Sequence, residues 1–235
     1  MAIRKDWLDF TFEALDSTGL RLEALEMCEL GNQHIFLDGI DYEIAKQYFE
    51  SLGIRHISID LNGEDGALIL DLSKPIHNEE LLGRFDVVTN FGTSEHVENQ
   101  YHCFKNMHDF ARKGGLCIHA IPKIGHWTDH CEYHYDPSFF KKLAELCSYS
   151  IVKEATFSSP TYGPDTHLVC AALVKRENSE FIDKETFDTL PIKQKKYSYW
   201  FRIRTSKRVR TLIIARGYVR TALGHIRRAF NSTKS

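Results

Sequence analysis

Residues 85–122 read FDVVTNFGTSEHVENQYHCFKNMHDFARKGGLCIHAIP, and this stretch decides the fold. Phe85-Asp86-Val87-Val88 is a short apolar run with β-branched members that stops at Thr89-Asn90-Phe91-Gly92, the pattern of a buried strand ending in a loop. Val97, Tyr101, Phe104, His108 and Ala111 then recur at three- and four-residue steps, which predicts a helix, and Gly114-Gly115 closes it. A second apolar run over 116–121 ends at Pro122. Placed in one sheet, such a unit means parallel strands joined by a right-handed crossover, with a ligand crevice at their carboxyl ends.

Upstream of it the sequence predicts a strand over 27–33 and a helix over 41–51, with Ile44, Tyr48 and Leu52 on one face and Gly53 past its end as a C-cap. A strand over 55–60 and an apolar run at 67–76 follow. Residues 1–26 are expected to form one or two short amphipathic helices that pack through Trp7, Phe10, Leu15, Leu22 and Leu25. Downstream, 138–147 reads as a helix with Phe139, Phe140, Leu143 and Leu146 facing the core, and 149–157 and 167–174 read as strands separated by a Pro- and Gly-containing loop. Residues 177–196 are polar and charged, the composition of a linker. Beyond them apolar residues such as Phe201, Leu212, Leu223 and Ile226 recur near helical spacing among Arg and Lys, although Gly217 and Gly224 weaken that helix. The expected layout is a domain over 1–176, a linker over 177–196 and a basic amphipathic tail over 197–235.

The chain has 235 residues, 43% of them hydrophobic, enough to bury a full core. No apolar run approaches the ~20 residues that span a bilayer, and the start, Met1-Ala2-Ile3-Arg4-Lys5-Asp6, lacks the apolar stretch of a signal peptide, so a cytoplasmic protein is expected. Six cysteines at irregular spacing, with no Cys-x-x-Cys pair, read as buried reduced thiols. The net charge of −2 conceals an asymmetry: residues 193–235 hold 13 of the 30 Lys and Arg and no acid, leaving 17 basic against 32 acidic residues, a net −15, in residues 1–192.

The order of Asp86, Glu95-His96-Val97, Gly114-Gly115 and Pro122 resembles the fourth and fifth strands of class I S-adenosylmethionine-dependent methyltransferases. The resemblance covers about residues 27–176. It implies an α/β, Rossmann-like, mostly parallel seven-stranded sheet with an antiparallel last strand and helices on both faces. It also implies S-adenosylmethionine as cofactor. Glu29-Leu30-Gly31-Asn32-Gln33 stands at the first strand and the loop that touches the cofactor, with Glu29 and Gly31 matching the family and Gln33 and Ile35 standing where later glycines are usual. Asp60, at the tip of the second strand and followed by Leu61, matches the acid that accepts hydrogen bonds from both ribose hydroxyls. Asp71 matches the acid that meets the adenine amino group, Leu72 would cover the ring, and Asn90 and Phe91 stand where the amino-acid moiety passes.

For the chemistry, Glu95 and His96 lie at the carboxyl edge, where a histidine can take a proton from an acceptor hydroxyl. The same pair can equally serve to open the helix. In some members, among them ubiquinone-type and small-RNA-end O-methyltransferases, a Glu-x-x-Glu-His run binds a divalent metal; Gly92 occupies the first Glu position here, so no metal is implied. His126, His130 and His134 follow Pro122 at four-residue steps, but Gly125 and Pro137 bracket them, and an aromatic and histidine wall facing the acceptor is expected in preference to zinc, with His126 and His134 as alternative bases and Tyr162 overhanging. The function expected is methyl transfer to an oxygen or nitrogen of a small acceptor, with sugars or glycan precursors suggested by the basic tail. That tail suits an anionic membrane surface or a protein partner better than nucleic acid. The competing reading is a non-catalytic scaffold of the same fold, motivated by Gln33 and Ile35.

Overall fold

A computed structural model describes residues 2–37, 39, 41–127, 130–158 and 167–195. The elements run β1 (Ala2–Ile3), α1 (Lys5–Thr18), β2 (Glu26–Leu30), β3 (His34–Ile35), α2 (Ala45–Ser51), β4 (Arg55–Ile59), β5 (Phe85–Phe91), α3 (Gln100–Phe110), β6 (Ala111–Pro122), β7 (Tyr133–Tyr135), α4 (Phe139–Leu146), β8 (Tyr149–Ser158), β9 (His167–Lys175), α5 (Lys184–Phe187) and β10 (Ile192–Gln194). The main sheet has the order β4-β2-β5-β6-β9-β8. Its first four strands are parallel, and β9 runs antiparallel between β6 and β8. The last long strand, β9, therefore inserts antiparallel between β6 and β8, as the resemblance implied.

The sheet is covered on both faces, which is why its strands read as nearly continuous apolar runs. Helices α1 and α2 bury Trp7, Phe10, Leu15 and Phe49 on one face, while α3 and α4 bury Phe104, Met107, Phe139 and Phe140 on the other. Central strands feed both layers, so Val88 packs with α3 and α4 while its neighbour Val87 packs with α1 and α2. All six cysteines are free and buried, as expected. No helix among the described residues is long and apolar enough to cross a membrane.

The structure departs from expectation in four places. The helix predicted from Val97 to Ala111 is shorter: Asn99 caps α3 by accepting from the His102 N–H, a 3₁₀ turn over Ser94–His96 precedes it, and Ala111 already belongs to β6. The helix expected over 41–51 begins at Ala45, and Gly53 lies just beyond it at φ +84°. The apolar run at 67–76, which resembles the family's third strand, is reduced to one parallel bridge, Leu68 with Ile59. Its backbone groups are satisfied instead by the buried Asn106 of α3, whose Nδ2 donates to the Leu72 and Lys74 carbonyls and whose Oδ1 accepts from the Ile76 N–H. Residues 181–194, expected to be linker, pack onto the domain. Phe181, Phe187 and Leu190 are buried in the α3/α4 layer, and β10 pairs antiparallel with β7. The tail expected over 197–235 and Tyr162 lie outside the described residues.

Two buried histidines couple this core to pH. His119 in β6 is packed between Phe104 and Phe140, with ring centroids at 5.7 and 4.7 Å, and its Nδ1 lies 3.3 Å from Asn90 Nδ2. His56 in β4 stacks on Phe49 at 5.7 Å. Burial pushes the proton affinity of each down to about 3. Both are neutral in the fold, whereas in the unfolded chain they bind a proton near pH ~6.5. Their stabilising contribution is therefore complete above pH ~6.5 and is lost as pH falls toward 3. Thermal melts should show the midpoint falling steadily from pH 7 to 4, with a shallower slope in His119→Gln; identical slopes would exclude His119 as a source of the acid sensitivity.

Candidate active site

A cavity of about 290 Å³ opens at the carboxyl ends of β2, β4 and β5. Four short segments line it. The loop after β2 gives Gly31, Asn32 and Gln33, and the end of β4 gives Ile59, Asp60 and Leu61. The irregular segment that bridges to β4 gives Leu70 to Ser73, and the loop after β5 gives Gly92, Thr93, His96, Val97 and Glu98. This is the crevice that parallel α/β sheets place outside their carboxyl edges.

Gly31 turns the first loop at φ +82°, and a Cβ there would lie 2.5 Å from Gln33 Nε2 and 2.6 Å from Thr93 Oγ1. The residue at 31 must therefore be glycine for two independent reasons. Gln33 occupies a position where a glycine is usual in the family, and its side chain does the holding that the tight turn would otherwise do. Its Nε2 donates to the Leu30 carbonyl at 3.4 Å and to Thr93 Oγ1 at 3.1 Å, while Thr93 itself donates to the Leu30 carbonyl at 2.6 Å. Ile35 is fully buried in β3, paired with Ile3 of β1, so it serves the core.

Asp60 is half-buried. Its Oδ2 accepts from the Asn32 N–H at 3.0 Å and its Oδ1 from the Asn62 N–H at 2.9 Å, which fixes the carboxylate while leaving each oxygen a further lone pair. Asp71 accepts from the Ser73 N–H and hydroxyl and lies 3.4 Å from Lys74 Nζ; those hydrogen bonds and that cation hold its carboxyl below the usual range against the opposing effect of burial.

The other expected site residues lie off the cavity wall. Glu29 is buried beneath the first loop, where its Oε2 accepts from the Gln33 N–H at 3.3 Å and sits 3.7 Å from His56 Nε2, and burial raises its carboxyl well above the usual range. Asn90 is buried in a polar network with Ser94 and His119, and Phe91 packs on Trp7 with centroids 5.7 Å apart. His134 lies in β7, its Nε2 3.2 Å from the Trp127 carbonyl oxygen and 3.5 Å from Cys131 Sγ. The His126 ring lies tilted against His167 with centroids 4.4 Å apart. Glu95 is fully buried immediately behind His96, and burial pushes its carboxyl up to about 8.

Sequence reasoning missed Gly92, Thr93 and Glu98 as lining residues. It also grouped His130 with His126 and His134, whereas the structure brings His130 to Glu95 and His96: one ligating atom from each of the three lies within 4.8 Å of the others. The His96 and His130 rings meet edge to face at 5.1 Å.

The sequence matches no protein-family model and no curated protein. The structure superposes on the Burkholderia thailandensis 1,6-didemethyltoxoflavin-N1-methyltransferase, solved with 1,6-didemethyltoxoflavin and S-adenosylhomocysteine bound, with a TM-score of 0.52 and 14% identity over 71% of this chain and 76% of that one. The chain has the fold of the class I S-adenosylmethionine-dependent methyltransferases. A Mesorhizobium loti S-adenosylmethionine-dependent methyltransferase gives a TM-score of 0.47 at 14% identity, covering 68% of this chain and 96% of that one. Within this methyltransferase fold, the mostly parallel sheet and its antiparallel last long strand are as the resemblance implied.

Gly31→Ala should destabilise the domain by roughly 1–3 kcal/mol, the scale of a non-glycine residue forced into a left-handed conformation, before any clash with Thr93 is counted. Urea unfolding measures this. A variant as stable as the parent would show that the loop is not held as the structure has it.

Proposed function

We propose that this chain transfers the methyl group of S-adenosylmethionine to an oxygen or nitrogen of a small acceptor. The observation that carries the reading is a cavity at the carboxyl edge in which Gly31, Asp60 and Asp71 converge. Its chemistry suits the cofactor. Fixed carboxylates at the tip of β4 and at 71 suit hydroxyl and amino donors, and Leu61, Leu70 and Leu72 offer an apolar surface for a ring. Asn32 Oδ1 and Gln33 Oε1 are buried acceptors with no hydrogen-bond partner, in the loop where an α-ammonium group would be received.

Bound in this way, the cofactor supplies a sulfonium methyl. The chain's own task is alignment and exclusion of water. Asp60 holds the ribose and Asp71 with Leu72 the adenine. The 31–33 loop receives the methionine end, and Glu29, from below, fixes that loop through the Gln33 N–H. His96 meets the acceptor from the opposite wall. The paired histidines at 126 and 167 and the buried His134 and Asn90 keep structural parts.

The acceptor we favour is hydroxylated, a sugar or glycan precursor, because the 13 basic residues of 193–235 against a −15 body suit work beside an anionic membrane or a protein partner. The positions retained at Asp60 and Asp71 argue against a purely scaffolding role, which needs an acid at neither place.

Calorimetric titration with S-adenosylmethionine and S-adenosylhomocysteine tests the reading. Micromolar binding is expected, and Asp60→Ala should weaken it by roughly 1.5–3 kcal/mol, the scale of hydrogen bonds to a charged group. A folded sample that binds neither compound would remove the cofactor and with it the activity.

A further inference from the structure

We propose that a second cavity, at the amino edge of the sheet, binds a phosphorylated small molecule through Lys113 and Lys175. This cavity holds about 740 Å³ and lies at the end of the sheet away from the first, where β5 and β6 begin and β9 ends. Its wall draws on the segment before β5, the last turns of α3, the start of β6, the end of β9 and the residues just after it. Small-molecule sites span roughly 300–1,000 Å³, so there is room for a ligand of nucleotide size.

Residues 1–192 carry 17 basic against 32 acidic residues, yet four of those 17, Lys105, Arg112, Lys113 and Lys175, line this cavity against a single acid, Asp109. Two of the four are answered. Lys105 Nζ lies 2.7 Å from Asp109 Oδ2, and Arg112 Nε donates to Asp86 Oδ1 at 2.6 Å. Among the described residues neither Lys113 nor Lys175 forms an ion pair. Lys175 is 5% exposed, and its Nζ donates to the His108 and Ala111 carbonyl oxygens at 2.7 and 3.0 Å. Those bonds use two of the three ammonium donors and leave the charge without an opposite. Burial lowers its proton affinity against the opposing fields of Cys117 and Asp109, and an anion in the cavity would relieve that cost. On the same wall the buried Ser179 hydroxyl has no hydrogen-bond partner.

The backbone is shaped to present these groups. Phe85 pairs with Ala111 but Val87 with Leu116, so residues 112–115 leave the ladder as a bulge that carries Arg112 and Lys113. Gly115 pins the bulge, since a Cβ there would lie 2.8 Å from the Arg112 carbonyl oxygen and 2.9 Å from that of Phe85. Across the cavity, His108 holds the segment after β9, with Nε2 2.7 Å from the Ser179 carbonyl oxygen and Nδ1 2.6 Å from the Tyr149 hydroxyl. The donor set selects the ligand. A phosphate ester carries about two negative charges on three acceptor oxygens, which suits two ammonium groups and a hydroxyl better than a carboxylate with one charge on two oxygens. The cavity exceeds what bare phosphate fills, and Ile76 and Leu82 offer the remaining space to an organic body.

This site stands apart from methyl transfer and is tested separately, by calorimetric titration of the full chain with pyrophosphate and with uridine 5′-diphosphate at about 0.15 M salt, where exposed charges are screened. One ligand per chain is expected. Lys175→Met, which keeps the length of the side chain and removes its charge, and Lys113→Glu, which alters an exposed residue, should each weaken binding by about tenfold or more. The Lys113 variant should keep the thermal stability of the parent, so it decides the matter even where Lys175→Met fails to fold. Absence of binding, affinity unchanged in Lys113→Glu, or sulfate bound as tightly as pyrophosphate would overturn the site. Displacement of either ligand by S-adenosylhomocysteine would overturn it too, by moving the ligand to the carboxyl edge.

Discussion

The carboxyl edge of this protein depends on one buried side chain, Asn90. Its Nδ2 donates to Ser94 Oγ at 2.9 Å and its Oδ1 accepts from the Ser94 N–H at 3.0 Å, so the chain leaving β5 must fold back into the turn that carries Glu95 and His96. From Ser94 the network continues to the Tyr135 hydroxyl at 3.0 Å, and Tyr135 donates to Gln100 Oε1 at 2.5 Å. Gln100 closes the circuit by donating to the Ser94 and Val97 carbonyls at 2.6 and 2.7 Å. Every member is buried and each is satisfied by the others, the condition under which a polar network rigidifies a site. Removing any one would strand its neighbours in a region water does not reach.

That network explains what could and could not be read from the sequence. The strands and helices on either side of residues 85–122 were legible because burial on both faces of a parallel sheet imposes continuous apolar runs and burial on one face of a helix imposes a 3.6-residue period. Gly31, Asp60, Leu61, Asp71 and Leu72 were legible as a set because the crevice at the carboxyl edge collects strand ends in a fixed order. Asn90 and Phe91 were placed in that set on order alone. Their side chains turn inward because a strand alternates, and at this depth inward means the Ser94 network for one and Trp7 for the other.

The remaining departures share a cause, backbone satisfied by a side chain from far away in sequence. Nothing in residues 67–76 announces that Asn106, some thirty positions on, takes three of their backbone groups and so replaces a strand by a loop. Nor does the polar composition of 177–196 reveal that Phe181, Phe187 and Leu190 are spaced to fill the gap beside α3, with Tyr101 packed against two of them. His130 is the clearest example. It was read with His126 and His134 as part of one wall facing the acceptor, whereas His130 stands beside Glu95 and His96.

Two glutamates, one at the end of each central strand, show how differently the fold treats a buried acid. Glu29 and Glu95 are both 0% exposed. Glu29 is answered from within on one oxygen: the Gln33 N–H donates to its Oε2 at 3.3 Å, and through that bond it positions the loop that carries Gly31. Neither carboxylate oxygen of Glu95 has a hydrogen-bond partner on another residue. One ring nitrogen each of His96 and His130 stands within 4.8 Å of a Glu95 carboxylate oxygen. A buried carboxyl retained in that condition is a persistent cost to folding. The Asn90 network holds the turn that keeps it there, while two exposed histidines flank it on the cavity side.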